Sequence, residues 1–150
     1  MLTELISLIH VEAILQILLA AFLGAAIGLE RERWKKDAGL RTYMIICVGA
    51  ALFAMVAVYG GDQFIGKSNI ALDPNIVIQA VGIGIGFLGS ALIINKQGHI
   101  EGLTTAASVW TAAAIGVAVG FRLYFIAFFT TIICLIVLNV LRSFEAKYLD

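Results

Sequence analysis

The chain has 150 residues, of which 61% are hydrophobic and only 13% are Asp, Glu, Lys or Arg. An ordinary soluble domain carries about 25% charged and about 45–50% apolar residues, so this balance excludes a soluble enzyme and points to a membrane protein. Formal net charge is +0, which removes the basic excess that a nucleic-acid partner would require. The two cysteines, Cys47 and Cys134, lie in apolar runs and read as small hydrophobes, not as a disulfide framework.

No basic region of a cleavable signal peptide precedes the first apolar run, so that run is expected to be retained. A helix needs about 20 mainly apolar residues, within roughly 17–25, to cross the hydrocarbon. Five segments qualify in chain order: Ala13–Leu29, Thr42–Tyr59, Ile76–Ile94, Leu103–Val119 and Leu123–Leu141. The expected fold is an all-α membrane protein of five transmembrane helices, with residues 1–150 forming a single transmembrane domain in contact with lipid. Between the spans lie the polar stretches Glu30–Arg41, Gly60–Asn75 and Asn95–Gly102, then a tight turn at Gly120–Arg122. Asp73 is placed to cap the third helix and Pro74 fits its first turn.

Lysine and arginine stay preferentially on the cytoplasmic side. With five spans, Arg31, Arg33, Lys35, Lys36, Arg41, Lys96, Arg142 and Lys147 share one side, and only Lys67 and Arg122 fall on the other. The N-terminus is therefore expected outside and the C-terminus in the cytoplasm.

Two hairpins echo each other. Phe22-Leu23-Gly24-Ala25-Ala26-Ile27 in the first span matches Phe87-Leu88-Gly89-Ser90-Ala91-Leu92 in the third. Each is followed by a polar connection and then by Gly39-Leu40-Arg41-Thr42 or Gly102-Leu103-Thr104-Thr105. Spans 1–2 and 3–4 thus read as a parallel repeat of a helical hairpin, as in several transporter folds, with the fifth helix outside it or at a dimer interface. Small-residue membrane helices also resemble one another by chance.

Gly84-Ile85-Gly86-Phe87-Leu88-Gly89 satisfies the pattern of a dinucleotide site. That chemistry requires a strand, a tight turn and a helix, whereas here the glycines sit inside one apolar run. They read better as packing residues. Gly82, Gly86 and Ser90 recur every four residues, with Gly89 beside them, and Ala20, Gly24 and Gly28 do the same in the first span. Such faces let membrane helices approach closely.

Gly28–Asp37 is expected to continue the first helix into the cytoplasm, with its outer charges self-paired one turn apart and Trp34 at the interface. Glu30 and Arg41 abut the apolar spans, and a Glu30–Arg41 pair or pairing with the opposite hairpin would offset the cost of charge at membrane depth. By the repeat, Asn95, Lys96, Thr104 and Thr105 occupy the matching rim. Thr104, Thr105, Ser108 and Thr111 can each bond the preceding turn, or the first three can line a polar pocket near Trp110. No acidic residue stands at the middle of a span, where a cation or proton carrier normally places one. His10 with Glu12, and His99, are too sparse for a metal site, and no catalytic set or cofactor site can be assembled.

Taken together, Gly28-Leu29-Glu30-Arg31-Glu32, Gly39-Leu40-Arg41-Thr42, Gly84–Gly89 and Gly102-Leu103-Thr104-Thr105-Ala106-Ala107-Ser108-Val109-Trp110 resemble the MgtC/SapB family. The resemblance places Glu30, Arg31, Arg41, Thr42, Gly86, Gly89, Thr104, Thr105, Ser108 and Trp110 in the family signature. It implies a bacterial inner-membrane protein linked to low-magnesium adaptation and virulence, and a regulator that restrains the F-type ATP synthase. It also implies a short form, since longer members carry a soluble domain after the last span.

Two function classes follow. A regulator, itself expected to be a homo-oligomer such as a dimer, would work by helix–helix contact through its Gly/Ala faces. A small ion transporter or channel, for Mg²⁺ or another cation, would place its site at the cytoplasmic mouth between the hairpins. Nothing in the sequence resembles a magnesium cage, which would want one or two carboxylates with waters.

Overall fold

The computed structural model describes residues 2–64, 73–96 and 98–141, with the side chains of 10–59, 73–96 and 98–140. Lys67, Arg142 and Lys147, part of the charge asymmetry, lie outside the described residues. The described chain is all-α apart from one short hairpin: α1 (Leu2–Arg33), α2 (Leu40–Phe64), α3 (Pro74–Ser90), α4 (Leu103–Gly120) and α5 (Tyr124–Ile136), which runs on into a π-helical turn at Val137–Leu141. Stretches of α1, α2 and α4 are apolar and long enough to cross a membrane, at 24, 20 and 18 residues. The other two, Pro74–Ser90 and Tyr124–Val140, are apolar and shorter.

Small residues decide how the bundle closes. α1 and α2 form an antiparallel pair in which a Cβ on Gly24 would stand 2.6 Å from the Tyr43 carbonyl oxygen, and one on Gly28 2.7 Å from Leu40 Cα. Ala20 is fully buried one turn earlier on the same face. α4 packs parallel to α2 by the same device. A Cβ on Gly120 would meet the Ala51 carbonyl oxygen and Ala54 Cβ at 2.5 Å, and one on Gly116 would overlap the Cys47 carbonyl. Lipid tails are as apolar as leucine, so the gain here is dispersion between backbones brought close, which any larger side chain forfeits. α5 rests on α4 and α1, with Ala127 fully buried.

Several expectations change. Helix α1 runs past Leu29 to Arg33 and ends there, because Lys35 takes a left-handed φ of 50°. The outer charges do not continue a helix to Asp37. Instead Glu32 turns back and accepts from the Leu40 backbone N–H at 2.9 Å, placing a carboxylate on the positive end of α2. Asp73 caps α3 by accepting from Asn75 N–H at 2.9 Å, with Pro74 in the first turn.

The third helix ends at Ser90 and does not reach Ile94. Ile94–Lys96 is a β-strand, β1, paired antiparallel with β2, His99–Glu101, in the register Asn95↔Ile100. Two glycines in left-handed backbone make this possible: Gly98 at φ 90° in the turn and Gly102 at φ 87° before α4. A Cβ on Gly102 would overlap the Leu92 carbonyl oxygen, so only glycine fits there.

The two hairpins of the repeat are packed unequally. Gly24 and Gly28 are pressed against α2, whereas Gly82, Gly84 and Gly86 of α3 have nothing within 4 Å of where a Cβ would stand. Gly89 is in ordinary contact with Ala106, its nearest atom there at 3.7 Å.

Candidate functional site

Two buried polar groups tie the bundle together, one near each end. At the basic end Arg31 is 2% exposed and Glu30 7%, although both are charged. The guanidinium grips its neighbour's carboxylate with two bonds, Nε to Oε2 and Nη2 to Oε1, the second at 2.7 Å. This fork is the strongest geometry available to an ion pair, and at membrane depth each charge is costly without it. Tyr43 on α2 and Cys134 on α5 lie within electrostatic reach of both charges. The burial of Glu30 and Arg31 places the pair inside the bundle.

Beside it, Tyr43 is fully buried and its hydroxyl stands 2.5 Å from Ser108 Oγ on α4. Both hydroxyls also reach the Thr105 carbonyl, Ser108 at 2.9 Å and Tyr43 at 3.4 Å, so either can donate to the other. This bond joins the first hairpin to the second.

At the opposite end Gln16 is 1% exposed on α1. Its amide donates to the carbonyls of Val119 and Gly120 at 3.1 and 3.4 Å, satisfying the last turn of α4. Its oxygen accepts from the Tyr59 hydroxyl at 3.0 Å. Around it Arg122 pairs with Glu12 at 2.8 Å, donates to the Tyr59 hydroxyl at 3.2 Å and stacks over the Tyr59 ring at 5.4 Å. Tyr124 donates to Glu12 at 3.3 Å. The Arg122 guanidinium is held even more firmly protonated than usual, first by its bond to Tyr59 and also by Glu12. Arg122 sits at a left-handed φ of 63°, a conformation an arginine adopts only under local constraint.

Of the residues singled out in the sequence, the structure brings Glu30 to Arg31 and brings Thr105 and Ser108 to Tyr43. Arg41, Thr42, Asn95 and Thr104 are exposed, as is Trp110. Glu30 therefore pairs with its neighbour and not with Arg41. Asn95 accepts from the Gly98 backbone N–H at 3.2 Å inside the β-turn, and Lys96 pairs with Glu101 at 2.8 Å. Ala20, Gly24 and Gly28 lie in the α1–α2 contact, and Ser90 donates to the Phe87 carbonyl on its own helix. The Gly84–Gly89 motif lies well inside α3, which starts at Pro74, and not at a strand-to-helix turn, which removes the dinucleotide geometry.

Sequence reasoning missed Tyr43, Gln16 with Tyr59 and Arg122, and the Gly116–Gly120 face. Ala112, Gly116 and Gly120 recur every four residues, so that last signal was present in the chain.

The MgtC family profile matches residues 17–147. The chain is 37% identical over 139 residues to the Putative magnesium transporter YhiD of Escherichia coli (strain K12), covering 93% of this chain and 65% of that protein. It is 38% identical over 130 residues to Protein MgtC of Salmonella typhimurium (strain LT2), covering 87% of this chain and 52% of that one. Protein SapB of Bacillus subtilis (strain 168) is 34% identical over 126 residues, or 83% and 54% of the two chains. The chain thus spans between half and two thirds of the length of these three relatives. No solved structure matches it significantly. The sequence blocks around Glu30, Arg41, Gly86 and Ser108 and the apolar helices that carry them agree with these matches: this multi-pass membrane protein belongs to the MgtC family.

Proposed function

We propose that the chain is a bacterial inner-membrane regulator linked to low-magnesium adaptation and virulence, acting by helix–helix contact with a membrane partner such as the F-type ATP synthase. The N-terminus lies outside, the C-terminus lies in the cytoplasm, and two or more copies assemble.

The bare small-residue face of α3 supports this reading. Gly24, Gly28, Gly116 and Gly120 are consumed inside the bundle, while Gly82 and Gly86 meet nothing among the described residues. A helix face without side chains gains little against lipid and gains close backbone contact against another helix. The buried polar side chains also bond within the bundle: Glu30 to Arg31, Tyr43 to Ser108, Gln16 to Tyr59 and α4. The test is growth of a deletion strain in low magnesium, complemented with Gly82→Leu/Gly86→Leu. The regulator requires loss of complementation from protein that still folds and reaches the membrane. Full complementation by that variant would refute it.

The name of the Escherichia coli relative favours a second reading, a magnesium transporter. Ion flux into sealed liposomes holding the purified chain decides between them, with Mg²⁺, K⁺, Na⁺ and H⁺ tested separately. Flux above empty liposomes that disappears in Arg41→Ala, a change at an exposed side chain, would establish transport. Its absence from folded protein leaves the regulator.

A further inference from the structure

A cleft of about 510 Å³ separates α2 from α3. Its walls include Ile45, Gly49 and Phe53 on α2 and Ile76, Gly84 and Leu88 on α3, with no charged residue among them. Gly49 and Gly84 present only hydrogens to it, and neither has a described atom within 4 Å of where a Cβ would stand. Its volume falls in the range of small-molecule sites, about 300–1,000 Å³.

The cleft runs toward the basic end, and a cation stands at that end. Arg41 lies one helical turn before Ile45 and two before Gly49, so it shares their side of α2. Helical side chains lean toward the N-terminus of their helix, which directs Arg41 away from the cleft floor and toward its mouth. Arg41 is exposed and has no ion pair or hydrogen bond among the described residues. Lys96, by contrast, is already held by Glu101. Arg33, Lys35 and Lys36 are exposed in the turn before α2, where Glu32 and Asp37 offset most of their charge.

We propose that this cleft binds an anionic phospholipid, with one acyl chain laid between α2 and α3 and the phosphate taken by Arg41. An apolar cleft between membrane helices must be filled by something apolar, and a guanidinium at its mouth matches phosphate with two parallel bonds. The unpaired charge of Arg41 favours a lipid of net negative charge over a zwitterionic one, whose own cation competes for the phosphate. This surface differs from the proposed partner face. At 100° per residue, Gly82 and Gly86 lie roughly opposite Val77, Ala80 and Gly84 around α3. The two inferences therefore fail separately.

The experiment is native mass spectrometry of the full chain released from mixed micelles of phosphatidylglycerol and phosphatidylcholine. The expected result is retained phosphatidylglycerol favoured about fivefold, the scale of one basic residue near a charged surface. Arg41→Gln should bring the two lipids level, and Lys35→Gln/Lys36→Gln should keep the preference. Filling the cleft, by Gly49→Leu/Gly84→Leu or from one wall by Ala80→Phe, should remove adducts of both lipids from protein with unchanged helicity. An undiminished preference in Arg41→Gln would overturn the proposal. So would full lipid retention by a folded cleft-filled variant, or a second copy of the chain found in place of lipid.

Discussion

Tyr43 and Ser108 meet at 2.5 Å between α2 and α4, 65 residues apart in sequence, with both side chains buried. Their bond fixes the rotation of two parallel helices whose remaining contact is between small residues and carbonyls. Tyr43→Phe keeps the ring and removes the hydroxyl. In membrane proteins such bonds average about 0.6 kcal/mol. Tyr43→Phe and Ser108→Ala should each lower stability by about that much. The double variant should lose no more than the larger single loss, as measured by unfolding in mixed detergent.

Breaking the buried ion pair should cost far more. Glu30→Gln leaves Arg31 charged and enclosed, for which about 3–5 kcal/mol is the usual penalty. Replacing both partners by apolar residues, Glu30→Leu with Arg31→Met, should recover most of that loss. Thermal unfolding of the single and double variants checks the sign. If the double variant instead remains as unstable as Glu30→Gln, the charges are held for more than mutual compensation.

Glycines that look alike in sequence should behave differently. Gly116→Leu must push α4 away from the Cys47 carbonyl, and overpacking of this kind costs at least about 1–3 kcal/mol. Gly86→Leu enters open space and should leave the monomer's unfolding unchanged, or raise it slightly through better helix propensity. Size-exclusion profiles and melting of the two variants separate the cases.

At the opposite end, Arg122 combines a strained φ of 63° with a pairing to Glu12 at 2.8 Å. Arg122→Ala loses the pairing and keeps the strain. Arg122→Gly loses the pairing and relieves it. The glycine variant should therefore be the more stable of the two by about 1 kcal/mol, readable as a higher melting temperature.

The helices were legible because apolar runs of membrane length have few other readings, and the face Ala20, Gly24, Gly28 because its spacing is local. What escaped depended on distant or atypical partners. Glu30 and Arg31 are adjacent, and adjacent helical residues ordinarily point apart, so spacing favoured Arg41 as the partner. Gln16 finds Val119 and Gly120 more than a hundred residues away, with no local signal to announce it. The strands at Ile94–Lys96 and His99–Glu101 are three residues each and exposed on both faces, too short to show an alternating pattern. The open space beside Gly82 and Gly86 could not be foreseen either, because their four-residue spacing looks the same as that of Ala20, Gly24 and Gly28.

That exposed face is the most direct test of the account. A photo-reactive residue placed at Gly86 in the full chain should, on illumination of living cells, give a discrete higher-mass product containing a second membrane protein. The same probe at the exposed Phe128 on α5 serves as the control. A protein adduct from position 86 and none from 128 is the predicted result. No protein adduct from position 86, in cells where the chain restores growth in low magnesium, would contradict it.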